Sequence, residues 1–280
     1  DYLWGGTKLK ENYGKKTDMD PVAESWELSV HPDGPSIVAS GEYQGLSFPK
    51  YLEKKGKGVL GTKGNTFEFF PILIKFIDAK QPLSIQVHPD NEYALRVEHE
   101  YGKTEMWYIP DSFLYFGVNK EITKEEFERR IHDNTLLDVL KVVPVHKGDV
   151  FFIKSGTIHA IGAGIQICEI QQNSNTTYRV YDFGRVGKDG KPRELHIQKA
   201  IDVSNLSPIE SDFKPCGPEE KNGDCDTVRL ATCEYFTTYE STLNGTTTLH
   251  VDDESFGSIL LIEGNATIEN DGTTLEVNKG

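Results

Sequence analysis

Along most of the chain, hydrophobic and polar positions alternate in short runs cut off by Gly, Pro, Asn and Asp. The clearest predicted strands are FEFFPILIKFIDA (67–79), LSIQVHP (83–89), TEMWYIP (104–110), DVFFIKSG (149–156) and IQICEIQQNS (165–174). Strand side chains alternate between two faces, so Ser84, Gln86 and His88 share one face of the second run, and Ile85 and Val87 the other. The aliphatic face needs only a core to pack on. The polar face is not simply charged and solvated, so it needs a partner of its own.

Two stretches carry helical spacing instead. One covers about 90–101, opened by Asp90 as an N-cap and closed by Gly102. The other covers about 123–142, opened by Thr123 with Glu126 three residues on, a capping-box pattern. Its apolar positions Phe127, Ile131, Leu136, Leu137 and Leu140 approximate one face, with a break expected at Asp133–Asn134.

Between 204 and 226 the period is lost, and Pro, Gly, Asp and Glu dominate. A boundary is expected there, separating a larger β-rich unit with helical insertions (1–205) from a smaller β unit (206–280). Strands resume in TVRLATCEYFTTYEST, SILLIEGNATIEN and TTLEVNKG. The Lys-Gly turn of PVHKGDVFFIKSGTIHA (144–160) returns in the closing LEVNKG (275–280) and then stops. This suggests two related β units, the second apparently truncated. The opening DYLWGG reads as starting inside a strand or turn, so residues are expected beyond both ends. Many short, closely spaced strands favour a barrel or sandwich.

Composition narrows the function classes. The 280 residues carry a formal net charge of -14. That opposes nonspecific nucleic-acid or anionic-membrane binding but permits a local basic pocket for a small anion. No signal-peptide pattern opens the chain, and no apolar run is long enough to span a bilayer. Cys168, Cys216, Cys225 and Cys233 form no C-x-x-C pair, which fits a reduced, cytoplasmic chain. No spacing supports a metal or redox site in the last three.

Candidate chemistry begins with Gln86 and His88. Glu105 follows in YGKTEMWYI, sharing a strand face with Lys103, and His159 comes just after the turn of SGTIHAIG. Two imidazoles, a carboxylate and an amide oxygen make a zinc-type shell with an open position, if the fold unites them. Spacing alone leaves a second reading open, in which each histidine is satisfied separately. His31, His99, His132, His146, His196 and His250 are read that way. Arg179, in QQNSNTTYRVYDFGR (171–185), is either a salt-bridged edge residue or a guanidinium that binds phosphate or a developing oxyanion. There is no Walker loop, G-x-G-x-x-G or nucleophile elbow.

WGGTKL, AESWELSVHPDG, FPILIKFIDAKQPLSIQVHPDNEYA, GKTEMWYI and SGTIHAIGAGIQICEIQQNSNTTYRVYDFGR stand in an order that resembles type I mannose-6-phosphate isomerases of the short bacterial form. The resemblance covers residues 4 to 200 in motif order and the remainder more weakly. It implies a mainly β fold: a cupin (jelly-roll) barrel with inserted helices plus a second, smaller cupin-like β domain. It also implies interconversion of mannose 6-phosphate and fructose 6-phosphate with one zinc ion per chain, held by Gln86, His88, Glu105 and His159. Arg179 matches the family's active-site arginine, and Lys103 a lysine considered for proton transfer. Like charge from zinc and Arg179 is expected to lower the Lys103 pKa. Ser84 and Lys75 are candidates for the phosphate. Asn175 stands where the family pattern has aspartate, so it could hold a hydroxyl or water but not transfer a proton itself. That departure keeps a second class open, a catalytically impaired cupin that binds or senses sugar phosphates. A third class is an iron or manganese cupin oxygenase, which usually prefers more histidine ligands. The expected partner is a small sugar phosphate, with the chain a monomer or homodimer.

Overall fold

The computed structural model describes residues 2–108, 112–187 and 189–280. The final two positions of the predicted 104–110 strand lie outside the described residues. Two five-stranded antiparallel sheets form the main body. The first contains β1 (Glu24–Leu28), β2 (Ile72–Ala79), β4 (Glu105–Tyr108), β7 (Val150–Ile153) and β9 (Ile165–Gln172), in the order β1-β2-β9-β4-β7. The second contains β3 (Ile85–Val87), β5 (Ser112–Val118), β6 (Leu140–Val145), β8 (His159–Ile161) and β10 (Tyr178–Tyr181), in the order β10-β3-β8-β5-β6. From β2 to β5, and again from β6 to β10, successive strands alternate between the sheets, which brings distant polar positions face to face. This mainly β sandwich fits the expected cupin fold.

Short helices connect and cover the sheets: α1 (Lys8–Tyr13), α2 (Phe48–Lys55), α3 (Gly61–Gly64), α4 (Asn91–Val97), α5 (Lys124–His132) and α6 (Ile197–Val203). The α4 helix starts as expected, with the Asp90 side chain accepting from the Tyr93 N–H. It ends before the predicted residue 101, because His99 adopts a positive φ of 61°. The predicted 123–142 helix is corrected further. Thr123 caps α5, but Glu126 pairs with Arg130 at 2.8 Å, and Asn134 in the left-handed region (φ 55°) breaks the helix at the expected place. After a 3-10 turn at Leu136–Val139, residues from Leu140 onward form β6 against β5. Their β-branched content and Pro144 suit an edge strand better than a helix.

Three apolar clusters fix this arrangement. Between the sheets lie Ile77, Trp107, Phe151 and Ile167 from the first, against Leu114, Phe116, Val145 and Ile161 from the second. Behind the second sheet, Ile85 and Val87 pack with Phe127 and Ile131 of α5 and Ala200 and Ile201 of α6. This is the partner the aliphatic face of the 83–89 run required. Behind the first sheet, Ile74, Phe76, Met106 and Ile170 pack with Leu230, Ala231 and Phe236.

The C-terminal portion therefore docks on the back of the first sheet. It comprises a small sheet of β11 (Glu219–Asn222), β12 (Cys225–Thr232) and β13 (Thr237–Leu243), and a hairpin of β14 (Asn265–Asn270) and β15 (Thr273–Asn278). The SILLIEG portion of the predicted strand, 258–264, is not extended into a ladder. Residues 206–213 stay with the main body: Phe213 stacks on Phe151 at 4.5 Å, and its carbonyl accepts from the Val150 N–H at 2.9 Å. All four cysteines are free thiols. Among the described residues, no helix is long and apolar enough to cross a membrane.

Candidate metal centre

The polar face of β3 looks inward, toward the first sheet. Gln86 is the cross-strand neighbour of both Arg179 on β10 and His159 on β8. His88 follows immediately after β3, and its carbonyl accepts from the Gly156 N–H at 2.8 Å. Gly156 has a φ of 82°, and a Cβ there would meet the Val203 carbonyl at 2.8 Å, so this turn demands glycine. From the opposite sheet, Glu105 opens β4 between Ile153 and Gln171. The approach to it is equally tight. The Lys103 N–H donates to the Pro89 carbonyl at 3.0 Å, and a Cβ on Gly102 would lie 2.4 Å from the Asp90 backbone. The segments leaving His88 and entering Glu105 are thereby locked together.

Ligand-type atoms of His88, Glu105 and His159 all lie within 4.8 Å of one another, and all three residues are buried. Hydrogen bonds assign the imidazole tautomers. His88 Nδ1 is 2.8 Å from the Thr176 carbonyl, and His159 Nδ1 is 2.8 Å from the Thr157 carbonyl. A carbonyl only accepts, so each Nδ1 carries hydrogen, which leaves Nε2 as the ring atom that can present a lone pair to a metal. These lone pairs meet the carboxylate: His159 Nε2 lies 3.1 Å and His88 Nε2 3.7 Å from Glu105 oxygens. Glu105 Oε2 is ion-paired with Lys103 Nζ at 2.8 Å, and the carboxylate otherwise faces only the two imidazoles. Lone pairs converging on a buried anion repel unless a cation sits among them, and the Lys103 ammonium reaches both the Glu105 carboxylate and His88 Nε2. The amide end of Gln86 lies 3.4 Å from His159 Nε2, and rotating the amide brings its oxygen to the same place. The donor set therefore fits a divalent ion such as zinc.

Lys103 supplies positive charge at this point. Its Nζ is 2.8 Å from Glu105 Oε2, 3.2 Å from His88 Nε2 and 3.6 Å from Glu169 Oε1. Burial pulls the Lys103 pKa down, but Glu105 and Glu169 push it up by more, so the net shift is upward. The near carboxylates set this direction, whereas the expected lowering depends on bound zinc. Burial pushes Glu105 up, yet Lys103, His88 and His159 hold it well below the usual carboxylate range. Burial, then Lys103, keep His88 from protonating. Glu169 goes the other way, raised chiefly by burial despite Lys103.

The other predicted residues fall into two groups. Arg179 and Ser84 are together: Arg179 Nε donates to Ser84 Oγ at 3.3 Å, and Nη1 to the Glu194 carbonyl at 2.8 Å. Lys75 is instead committed to the buried ionic network. Its Nζ lies 3.4 Å from Glu24, 3.8 Å from Glu169 and 4.9 Å over the Trp26 ring, with 4% of the residue exposed. Its amine is taken up by these partners. Asn175 donates to Asp33 Oδ2 at 2.9 Å, so a neighbouring carboxylate stands where the aspartate pattern led us to look for one.

Sequence patterns missed several residues. Glu169 accepts from Trp107 Nε1 at 2.8 Å; its signal was an acid alternating with buried positions in IQICEIQQ. Glu100 gathers the Thr176 hydroxyl, the Asn175 N–H and His31 Nε2 at 3.2 to 3.3 Å, and so shapes the turn whose carbonyl orients His88. His31 is thus a buried partner in that turn, and nothing local announced it.

Comparison with known proteins agrees along the whole chain. Residues 1–108 match the family model for the phosphomannose isomerase type I catalytic domain, and residues 226–280 that for the mannose-6-phosphate isomerase cupin domain. The chain is 34% identical to the putative mannose-6-phosphate isomerase YvyI of Bacillus subtilis over 283 residues, covering 99% of this chain and 87% of that protein. It is 38% identical to ManA of the same organism, covering 94% of this chain and 82% of the relative. A solved mannose 6-phosphate isomerase structure from Bacillus subtilis superposes with a TM-score of 0.90 at 33% identity, covering 100% of this chain and 88% of the other. With the sandwich, the buried donor set and full-length relatives in agreement, the chain belongs to the type I phosphomannose isomerase family.

Proposed function

We propose that the chain interconverts D-mannose 6-phosphate and D-fructose 6-phosphate through an enediol, with one zinc ion held by Gln86, His88, Glu105 and His159. The observation that carries this reading is the convergence of the His88 and His159 Nε2 atoms on the buried Glu105 carboxylate. Bound zinc would supply Lewis-acid polarisation of the oxygens on C1 and C2. The protein's own groups do the rest. Arg179, fixed by Ser84 and the Glu194 carbonyl, places a permanent positive charge at the edge of the site to steady the enediol oxygens. Lys103 is the proton carrier between the two carbons. It rests in the charged form, and Glu169, 3.6 Å away with a raised pKa, is suited to take its proton and free the amine. Trp107 keeps Glu169 in place.

The impaired-binder alternative rested on Asn175. Its contact with Asp33 supplies a carboxylate at that position and removes the reason to prefer it. A coupled assay for fructose 6-phosphate, run before and after chelation and again after zinc is restored, tests the reading. Activity should vanish with chelator and return with zinc. Activity that survives complete metal removal would falsify the metal assignment, and absence of isomerisation in zinc-loaded protein would sink the function.

A further inference from the structure

Beyond the β10 end of the site lies an arginine cluster that the mechanism does not use. Asp182, 7% exposed, receives Nε and Nη2 of both Arg185 and Arg193. Arg185 is further anchored by its Nη1 on the Pro82 carbonyl. One carboxylate thus fixes two guanidiniums, and Arg179 stands close enough for Arg193 and Arg185 both to depress its pKa, after burial. Positive charge exceeds negative charge here, in a chain whose net charge is -14. Arg193 Nη1 and Arg179 Nη2 have no acceptor among the described residues. Arg193 and Arg185 line a cavity of about 320 Å³, walled by Tyr2 and Trp4, whose rings stack at 5.3 Å. Asp189 lies on its rim, with its Oδ1 occupied by the Lys191 N–H.

An isolated cluster of this kind would be costly. Three guanidiniums outnumber Asp182 and the cavity's Asp189, and a forked donor lining a cavity is well complemented by a phosphate. The cluster also lies on the correct side of the metal centre. Arg179 bridges them, with Nε on Ser84 two residues from Gln86 and its strand position paired with Gln86 itself. A hexose 6-phosphate carries its phosphate at the far end of the carbon chain from C1 and C2. With those carbons at the metal centre, the phosphate extends away from it.

We infer that the cavity beside Tyr2 and Trp4 receives the substrate phosphate, with Arg193, held rigid by Asp182 and Arg185, as the group that recognises it. This rests on the proposed isomerase reading and replaces Lys75 as the phosphate partner, with Ser84 orienting Arg179 instead of meeting the phosphate alone.

Two measurements test it, one independent of turnover. In wild-type protein, inorganic phosphate should protect Arg193 from an arginine-selective dicarbonyl reagent, mapped by mass spectrometry, while the exposed Arg129 stays reactive. Equal labelling of Arg193 with and without saturating phosphate overturns the inference, whether or not the chain isomerises sugars. In the second, Arg193→Gln should raise KM for mannose 6-phosphate by roughly tenfold or more, with a smaller change in kcat, and weaken inhibition by inorganic phosphate in parallel. Arg193→Lys, which keeps the charge and can still reach Asp182, should recover part of that loss. An unchanged KM, or a fall in kcat alone, also overturns it. If wild-type turnover is absent but phosphate protects Arg193, the isomerase reading has failed and the phosphate site stands.

Discussion

Toward one end of the space between the two sheets, Trp107, Phe151, Phe116 and Ile167 interlock; toward the other stand Lys75, Lys103, Glu105 and Glu169. The two fillings are neighbours on the same strands. On β2 and β9, the pair Ile77–Ile167 gives way to Lys75–Glu169 one step along the same face. On β4, Glu105 and Trp107 differ by one step in the same way. The apolar end earns stability by removing surface from water, roughly 1.5–3 kcal/mol for each fully buried large side chain. Burying ions does the opposite unless each is compensated. The polar end is thus a region where the sandwich gives up stability for chemistry, and the apolar end keeps the sheets close enough for the ligands to meet.

The comparison breaks most sharply at His159. His159→Ala should lower isomerase activity by about a thousandfold or more, since a Lewis acid contributes several kcal/mol to the barrel's chemistry. The measurement is kcat/KM in the coupled assay beside a thermal melt, and a melt that collapses would mean the polar end is structural instead. Phe151→Ala is the mirror image. It should cost about 3 kcal/mol or more in a denaturant titration, through a cavity against Phe116 and Phe213, while the folded fraction retains zinc and turnover. Lys103→Met should slow exchange of the C2 proton with solvent by about a hundredfold or more while leaving the ligand set in place. Near wild-type exchange would remove Lys103 from proton transfer.

The smallest effect is at the edge of the polar end. Burial raises the Glu24 pKa, but Lys75 and the Trp26 indole lower it by more, so its folded value lies below its unfolded one. Its contribution to stability is therefore present above the unfolded carboxylate pKa and lost as pH falls through the folded value. Glu24→Gln should flatten that acid limb of a stability–pH curve. An unchanged acid limb would show that Lys75 does not hold Glu24 ionised.

Much of the polar end was legible in the chain. Period two placed Gln86 beside His88 and Lys103 beside Glu105, and glycine marked the tight turns at 102 and 156. Helix limits were less legible. Leu140 was placed on the helix face of Phe127, but β5 offers it a ladder, and pairing overrides local preference. Lys75 is similar: its place just before the polar strand suggested a phosphate contact, but two acids and an indole from other strands enclose its amine.

What the sequence determined by itself was most of the main-body strands, which face of each is polar, and, through motif order, the family and its ligand types. Tertiary structure alone decided that Glu105 would face His88 and His159 from the opposite sheet and that Lys103 would stand between Glu105 and Glu169. It also decided that Asp33 would meet Asn175, and that Arg193 would stand beside a cavity instead of in solvent. The reason is physical. Which face a side chain occupies follows from backbone alternation within a few residues, whereas its charge state and partners depend on burial and on groups brought close from tens of residues away.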